Sequence, residues 1–341
     1  MHKIIVTGGC GYIGTHTLVD LISKGFYVVS LDDNSKSDEK ILKGVESITG
    51  VKVKNYKVDL KDKKALFEII NKHKDAIGII HFAAYKSVPE SVEKPLKYYA
   101  NNIQGLLNLL ESVEKYNIPN FVFSSSCSVY GNVEKLPVDE KTPLGITESP
   151  YARTKQMGEQ ILIDFVTSNK KTKVILLRYF NPVGAHPSGI IGEMPLGIPN
   201  NLAPYITQTA IGLREKVIVF GNDYATRDGS GLRDYIHVMD IAAAHTSAIQ
   251  YLDKTVLKEN PTIFNLGTGN GVTVLEVIKA FEKTSGQKLN YEIGPRRAGD
   301  IEAIYANNEK AKKELGWTIN YSLEDMMDSA WKWEQKLAKK Q

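Results

Sequence analysis

The chain has 341 residues, enough for two lobes and a large buried core. Apolar residues make up 42% and charged residues 24%, as in ordinary globular proteins, and the net charge is only +4. No aromatic and basic module accompanies the lysines, so we expect no nucleic-acid partner. Cys10 and Cys127 allow one disulfide at most, and neither they nor the seven histidines have the spacing of a metal site.

The beginning of the chain has no recognisable targeting signal. Only three apolar residues follow Lys3 before a glycine-rich segment, too few for the core of a signal peptide. No stretch approaches the roughly 18 apolar residues of a membrane span. We therefore expect a cytoplasmic protein that uses neither a membrane nor a structural metal.

Short apolar runs alternate with segments of helical spacing through the first half of the chain. The runs that we predict as buried strands are residues 4–6, 28–31, 53–58, 77–82, 121–123 and 174–177. The helical segments between them include residues 15–24, 63–73 and 97–116. This alternation predicts an α/β fold with a doubly wound parallel sheet of the Rossmann type, covered on both faces.

The pattern changes after residue 180. Residues 181–204 are rich in Gly, Pro and Asn, and residues 221–231 are again irregular. Loops of this length are usually functional or disordered, and their apolar content favours ordered binding loops. We expect a dinucleotide-binding domain at 1–180 and a smaller α/β lobe for a second ligand at 181–341, with part of 235–265 packing back on the first domain.

The strongest local motif is the glycine-rich segment from Gly8 to Gly14, between the first predicted strand and a helix. Gly8 suits a tight turn, Gly11 lets the backbone approach a pyrophosphate, and Gly14 allows the helix and strand to pack closely. The N–H groups at the start of the helix then favour the anion. The setting predicts a dinucleotide site.

Two acids after predicted strands suggest which dinucleotide binds. Asp32 ends the second strand, where a carboxylate accepts hydrogen bonds from ribose hydroxyls and repels a 2′-phosphate. This favours NAD over NADP, although a turn-capping role for Asp32 stays open. Asp59, which we expect to close the third strand, is a weaker candidate for the adenine edge.

A second group combines a tyrosine, a lysine and a run of serines. Tyr151 and Lys155 share one face of a helix, and Ser124-Ser125-Ser126 ends a predicted strand. An ammonium near a phenol favours the phenolate, which lowers the phenol's pKa from about 10 towards working pH. With the Ser126 hydroxyl sharing the proton, this group predicts a general base that deprotonates a sugar hydroxyl as hydride leaves the same carbon.

Together these motifs resemble the extended short-chain dehydrogenase/reductase superfamily, and longer stretches resemble the UDP-glucose 4-epimerases within it. The stretches are residues 81–84 (HFAA), 91–102 (SVEKPLKYYANN), 123–126 (FSSS), 177–189 (LRYFNPVGAHPSG), 197–202 (GIPNNL), 220–224 (FGNDY), 233–240 (RDYIHVMD) and 295–300 (PRRAGD). The resemblance covers nearly the whole chain, from Lys3 to about Trp333.

The resemblance implies roles for individual residues. Tyr151, Ser126 and Lys155 match catalytic positions. NAD-binding positions are Gly8, Gly11, Tyr12, Ile13, Gly14, Asp32, Asp33, Asn34, Asp59, Leu60, Phe82, Ala83, Ala84, Lys86, Asn101, Tyr151, Lys155 and Phe180. Positions on the UDP-hexose side are Lys86, Ser126, Tyr151, Tyr179, Asn181, Asn201, Leu202, Ile218, Phe220, Arg233, Tyr235, Arg297, Asp300 and Ile304.

The resemblance also implies a reaction, reversible C4 epimerisation of UDP-galactose and UDP-glucose. Tyr151 with Ser126 removes the proton of the 4-hydroxyl, tightly bound NAD holds the hydride, and the 4-keto sugar turns about its diphosphate link before the hydride returns. Arg233 and Arg297 grip the diphosphate as guanidinium groups do. A homodimer packed through residues 97–116 and 151–168 is expected.

Substrate breadth is expected to depend on Ile304. In the resembling family this position, four residues after Asp300, borders the 2-substituent of the sugar. A β-branched side chain has few rotamers with which to move aside, so we expect UDP-N-acetylglucosamine to be a poor substrate. A plain core role for Ile304 on a short strand stays open.

Some departures and rival functions bear on this interpretation. The loop at 33–36 is one residue shorter than is usual in the family, which leaves the adenosine contacts open, and Cys10 and Cys127 replace a usual Ser or Ala in expected packing roles.

No carboxylate stands at 127–130, which disfavours a 4,6-dehydratase or a decarboxylating relative. Epimerases of UDP-N-acetylhexosamines or UDP-uronates stay open. A non-catalytic NAD-sensing protein typically lacks the Tyr–Lys pair that this chain has.

Overall fold

The computed structural model describes residues 2–195, 197–199, 201–297 and 301–339. The strands are β1 (Lys3–Thr7), β2 (Tyr27–Leu31), β3 (Lys54–Tyr56), β4 (Gly78–His81), β5 (Asn120–Ser124), β6 (Lys173–Tyr179), β7 (Asn181–Val183), β8 (Val217–Phe220), β9 (Leu232–Arg233), β10 (Tyr235–His237), β11 (Thr262–Leu266), β12 (Val272–Thr273), β13 (Tyr291–Gly294) and β14 (Ala303–Ile304).

The helices are α1 (Tyr12–Ser23), α2 (Leu42–Thr49), α3 (Lys63–Lys72), α4 (Val88–Glu93), α5 (Pro95–Tyr116), α6 (Pro150–Ser168), α7 (Leu202–Ala210), α8 (Val238–Lys254), α9 (Val274–Ser285), α10 (Glu309–Leu315) and α11 (Leu323–Ala338). Short 3₁₀ turns occupy Glu39–Ile41 and Cys127–Tyr130. Within the residues that the structure describes, no helix combines the length and apolar character that a membrane crossing requires.

A parallel sheet of order β11-β6-β5-β4-β1-β2-β3 forms the centre of the molecule. Side chains of β1 alternate between its faces: Ile4 and Val6 join one apolar cluster, and Ile5 joins the other. Burial on both faces explains why these strands are continuous apolar runs in the sequence. The strand order reverses between β1 and β4, which opens a crevice at the carboxyl ends of the strands. The predicted doubly wound α/β fold is confirmed.

The last strand of this sheet comes from the second half of the chain. β11 pairs in parallel with β6, and α8 packs against α1 on one face of the sheet. Residues on both sides of position 180 therefore share one core. The boundary at residue 180 stays a prediction about domains.

The second lobe is built from short sheets and three helices. β10 pairs with β7, β13 with β8, and β9 lies between β12 and β14. Ile206 of α7, Phe281 of α9 and Met327 of α11 share one apolar cluster. Compared with the sequence predictions, α1 begins three residues earlier, at Tyr12. The expectation that Asp59 closes the third strand is wrong, since β3 ends at Tyr56.

Candidate active site

The glycine-rich loop folds tightly onto the end of β4. Gly8 has a φ of +73°, which favours glycine, and a Cβ atom there would lie 2.8 Å from the backbone nitrogen of Ala83. A Cβ at Gly14 would clash with the carbonyl oxygen of Gly8. Gly14 therefore lets α1 pack against the glycine-rich loop, whereas the sequence analysis predicted packing of the helix against the strand. Gly11 is the N-cap of α1 and provides no side-chain cap for the N–H groups of the first turn.

Asp32 lies directly after β2 and joins the glycine-rich loop to the loop that follows. One carboxylate oxygen accepts a hydrogen bond from the backbone N–H of Cys10 (3.0 Å). The other accepts from the backbone N–H of Asn34 (2.9 Å) and the hydroxyl of Ser37 (2.7 Å). Asn34 has a φ of 59°, a left-handed conformation that Asn tolerates. Burial raises the pKa of Asp32. Asp32 thus caps this turn, and its role towards a ribose stays a prediction.

The other predicted adenosine contacts lie further out. Asp33 accepts a hydrogen bond from the backbone N–H two residues on. Asp59 is partly exposed and forms an ion pair of 3.3 Å with Lys61. Leu60 is buried, and its carbonyl accepts a hydrogen bond of 2.9 Å from the Asn108 amide. Their contacts to adenosine stay predictions.

The loop after β4 and the second turn of α5 carry further predicted cofactor residues. Phe82 packs its ring 4.5 Å from that of His245, centre to centre. Ala83 and Ala84 are half-buried, as is Asn101 of α5. These positions lie at the carboxyl end of the central sheet, where the predicted dinucleotide would lie.

A strap of polar contacts joins the two lobes across this crevice. The Tyr12 hydroxyl, at the start of α1, donates a hydrogen bond of 2.5 Å to the carbonyl of Gly184. Glu193 accepts hydrogen bonds from Lys86 (3.0 Å) and from the Asn201 amide (2.7 Å). Ile13, next to Tyr12, is half-buried against the apolar core. Glu193 thus connects Lys86, a predicted cofactor residue, with Asn201, a predicted substrate residue.

The three predicted catalytic side chains come together where β5 ends and α6 begins. Ser126 follows β5 and is the N-cap of the 3₁₀ turn, and its hydroxyl is close enough to the Tyr151 phenol to act on the phenol's pKa. Lys155, one turn further along α6, donates a hydrogen bond of 2.6 Å to the carbonyl of Ser124. Ser126 and Lys155 are buried, and Tyr151 is half-buried. The geometry is that of an acid–base group.

The pKa values of this group differ from the sequence prediction. Burial raises the pKa of the Tyr151 phenol, and Tyr179 adds to the rise, whereas the hydrogen bond with Ser126 lowers it. Burial lowers the pKa of Lys155 to about 8. The Lys155 nitrogen lies 6.0 Å from the centre of the Tyr151 ring. The prediction that Lys155 lowers the pKa of Tyr151 is wrong here, because loss of hydration outweighs a cation at that distance.

The segment from β6 to β7 supplies the next predicted contacts. The Tyr179 hydroxyl forms a hydrogen bond with Ser124, and burial raises the pKa of Tyr179 to about 12. Phe180 is buried, and its backbone N–H donates to the carbonyl of Leu266. Asn181 begins β7 and pairs with Tyr235 of β10. The chain thus passes from the catalytic group directly into the second lobe.

Predicted contacts on the UDP-hexose side lie on short strands and loops. Phe220, at the end of β8, is 40% exposed, and the Arg297 guanidinium lies 5.3 Å from the centre of its ring. Ile218 of β8 and Leu202, the first residue of α7, are half-buried. The Arg233 guanidinium donates to its neighbouring carbonyl, that of residue 232 (2.9 Å). All these roles stay predictions.

Tyr235 and Ile304 are more deeply buried than their predicted neighbours. Tyr235 belongs to the apolar cluster of the second lobe. Ile304, on β14 opposite Arg233 of β9, is 2% exposed and shares a cluster with Phe180. The core role that stayed open for Ile304 is thus present, and a role against the sugar stays a prediction. Asp300 lies outside the described residues.

Two acids near the site were missed. Glu193 lies in the Gly- and Pro-rich segment, where an isolated acid between the predicted contacts Asn181 and Asn201 was a usable signal. Glu159 follows Lys155 by four residues, so it continues the face of α6 that carries Tyr151. Among the described residues, no three His, Cys, Asp or Glu side chains gather as a metal site would require.

The parallel sheet, the glycine-rich loop and the Ser–Tyr–Lys group are those of an extended short-chain dehydrogenase/reductase. A family model described as GDP-mannose 4,6 dehydratase matches residues 5–330. UDP-glucose 4-epimerase of Bacillus subtilis is 50% identical over 331 residues, covering 97% of this chain and 96% of the relative. The chain belongs to the UDP-glucose 4-epimerase family within the extended short-chain dehydrogenases/reductases.

Solved structures agree with this assignment. UDP-glucose 4-epimerase from Bifidobacterium longum in complex with NAD⁺ and UDP has a TM-score of 0.93 at 46% identity, with 98% of each chain covered. The enzyme from Stenotrophomonas maltophila with bound NAD and formylated UDP-arabinopyranose has a TM-score of 0.96 at 42% identity, with 100% of each chain covered.

Proposed function

We propose that this protein catalyses the reversible C4 epimerisation of UDP-galactose and UDP-glucose through a 4-keto intermediate, with tightly bound NAD as the transient hydride acceptor. The observation that carries the proposal is that Ser126, Tyr151 and Lys155 come together at the carboxyl end of β5, in the same parallel sheet whose first strand leads into the glycine-rich loop. The 50% identity to the Bacillus subtilis epimerase supports the choice of reaction.

The residues at the crevice fit a dinucleotide. No side chain caps α1, whose N-cap is Gly11, so the first-turn N–H groups and the helix dipole suit a pyrophosphate. Asp32 would hold the adenosine ribose and disfavour a 2′-phosphate. When bound, NAD takes up and returns a hydride, and its cationic nicotinamide ring favours a phenolate nearby.

The chain's own residues move the proton. Tyr151 accepts the proton of the 4-hydroxyl as hydride leaves C4, so the C4–H and O–H bonds break and a ketone forms. Ser126, whose hydroxyl lies near the Tyr151 phenol, would orient the sugar 4-hydroxyl. Hydride then returns to the opposite face of C4 while Tyr151 protonates the ketone oxygen. The stereocentre is inverted, and no net oxidation occurs.

The second lobe must hold UDP while the hexose turns. Arg233 and Arg297 would bind the diphosphate through guanidinium hydrogen bonds, and Phe220 would contact the nucleotide. These residues lie on short strands and loops of the second lobe, outside the central sheet. Such a division keeps the UDP fixed and leaves the 4-keto sugar free to present either face.

The test uses the purified protein with UDP-galactose, UDP-N-acetylgalactosamine and UDP-galacturonate, and separates the products. We expect repeated conversion of UDP-galactose to UDP-glucose without free NADH, and nicotinamide cofactor released on denaturation. If the cofactor is bound more loosely, catalytic amounts of NAD should restore activity. Free NADH formed in proportion to oxidised sugar would identify a dehydrogenase, and preference for another sugar would correct the substrate.

We also propose a homodimer through α5 and α6. These helices pack side by side and expose Leu107, Met157 and Ile163, each by close to two fifths of its surface. Light scattering during size-exclusion chromatography should give twice the chain mass, and a stable monomer at assay concentration would contradict the proposal. A cytoplasmic location is proposed as well, since both cysteines are free.

A further inference from the structure

A buried ion pair lies beneath the catalytic group, between α6 and β6. The Arg178 guanidinium binds the Glu159 carboxylate through two hydrogen bonds, of 2.9 and 2.6 Å. The side chains are 4% and 2% exposed. Removing both charges from water is costly, and such pairs are often no more stable than apolar residues of similar volume. Its position beside the site suggests another role.

Glu159 is connected to the turn that carries the catalytic serine. The Ser125 hydroxyl donates a hydrogen bond of 2.5 Å to the same carboxylate oxygen that accepts from the Arg178 Nε atom. Ser125 lies between Ser124, whose carbonyl accepts from Lys155, and Ser126, which contacts Tyr151. One buried carboxylate therefore holds Ser125 and, through it, fixes the Ser124 carbonyl and the Ser126 hydroxyl on either side.

Glu159 is also the nearby opposite charge for Lys155. Burial lowers the pKa of Lys155 to about 8, and the charge of Glu159 opposes this effect. Among the residues that the structure describes, no second negative charge acts on the lysine. Tyr151 on the same helix has a raised pKa, and the Phe123 ring of β5 lies 5.1 Å away. His81 of β4 is neutral, because burial and Lys155 lower its pKa to about 3.

We propose that Glu159 is a positioning residue for the reaction: held by Arg178, its carboxylate anchors the Ser124–Ser126 turn through Ser125 and places a negative charge one helical turn from Lys155. The inference rests on the proposed function for the role of Lys155 in catalysis. Arg178 holds the carboxylate in place through its two hydrogen bonds, while its guanidinium also donates to the Tyr130 hydroxyl at 3.1 Å.

The test compares the pH profiles of kcat for UDP-galactose in the wild type and in Glu159→Gln. Without the carboxylate, Lys155 should lose its proton at lower pH, because Glu159 is the group in the described part of the chain that opposes the effect of burial. The alkaline limb of the profile should move to lower pH by about one unit or more. A second measurement follows the NAD retained by the purified protein after gel filtration at each pH, and retention should decline at correspondingly lower pH.

Arg178→Met is the matched control, because it breaks the same ion pair but leaves the negative charge in place. Arg178→Met should not move the alkaline limb of the kcat profile to lower pH. The double variant, Glu159→Gln with Arg178→Met, leaves no unpaired charge and should move the limb to lower pH. Glu159→Asp keeps a carboxylate, so its alkaline limb should lie closer to that of the wild type than to that of Glu159→Gln. Equal loss of activity at every pH in both single variants would show that the pair is only structural, and would overturn the proposal.

Failure of the proposed function would be visible separately. If the wild type does not epimerise UDP-galactose, the reaction is wrong, and the pH dependence of NAD retention still tests Glu159. If the Gln variant does not fold, the double variant supplies the comparison. If NAD retention then has the same pH dependence in the wild type and in the double variant, the proposal is overturned.

Discussion

The two sides of the crevice are built differently. On the side of the central sheet, Ser126 and Lys155 are buried. Ser126 accepts a hydrogen bond from Ser128 of the 3₁₀ turn, and Lys155 donates one to the Ser124 carbonyl at the end of β5. On the other side, Phe220 is 40% exposed and Arg297 is exposed, both on short strands or loops. One side is buried in the core, and the other is more exposed to solvent.

This difference suits the two tasks of the proposed reaction. Proton and hydride transfer need a fixed geometry, because small displacements of the reacting groups reduce the rate strongly. A sugar that must present both faces needs room on the other side. Substitutions at the catalytic group should therefore reduce kcat most, and substitutions beyond it should change selectivity or cofactor retention.

The largest effect is expected at Tyr151. Tyr151→Phe keeps the ring and removes the proton acceptor, and loss of a general base typically lowers kcat about 10²–10⁴-fold. Binding of UDP and NAD should survive, as titration calorimetry and bound-cofactor analysis can show. Tyr116→Phe at the end of α5, outside the proposed site, serves as the control. Near-normal turnover by a folded Tyr151→Phe protein would exclude the mechanism.

A smaller effect is expected at Ile304, which belongs to the second lobe yet is buried beside Phe180. Discrimination by shape in an apolar pocket is worth about 1–3 kcal/mol, so the wild type should use UDP-N-acetylglucosamine with up to roughly a tenth of its activity on UDP-glucose. Ile304→Ser should raise the ratio of the two kcat/KM values.

The ratio cancels any loss of folded protein, which matters because Ile304 lies in a core cluster. Ile304→Val, which removes one methyl group, should shift the ratio less and is the matched control. Equal use of both sugars by the wild type, or an unchanged ratio in the Ser variant, would mean that Ile304 acts only in the core.

The smallest effect is expected in the strap. Glu193→Gln removes the charge that binds Lys86, and such partly exposed ion pairs contribute about 0.2–1 kcal/mol. NAD should then dissociate up to about fivefold faster, with little change in kcat, as nucleotide release after dilution can measure. Glu324→Gln, which breaks an exposed ion pair with Lys283 far from the crevice, is the control. Identical release in both variants would show that the strap does not retain the cofactor.

Much of the fold and part of the site followed from local sequence. Continuous apolar runs such as residues 4–6 predict strands because both faces of a parallel sheet are buried. The spacing of Gly8, Gly11 and Gly14 predicts a turn that only glycines permit. Tyr151 and Lys155 could be placed together because helical spacing puts them on one face.

Other features depend on residues that are distant in the chain. Glu193 meets Lys86 across 107 positions, and no periodic pattern connects a loop acid with a lysine that far away. The pKa of Tyr151 was predicted in the wrong direction because helical spacing gives the distance to Lys155 but not the burial of the phenol. Burial is a sum over every neighbouring element, so it is known only once they have packed.

The parallel sheet, the glycine-rich loop and the Tyr151–Lys155 pair could be predicted from the amino-acid sequence. The loop and the pair depend on spacings of a few residues along one element, and the sheet depends on the alternation of strands with helices. The structure was needed to show that β11 completes the sheet beside β6, that Glu193 joins the lobes, and that Arg178 holds Glu159 beneath the catalytic turn. Those contacts join residues 8 to 107 positions apart, and the chain brings them together only when the apolar faces of separate helices and strands are buried against each other.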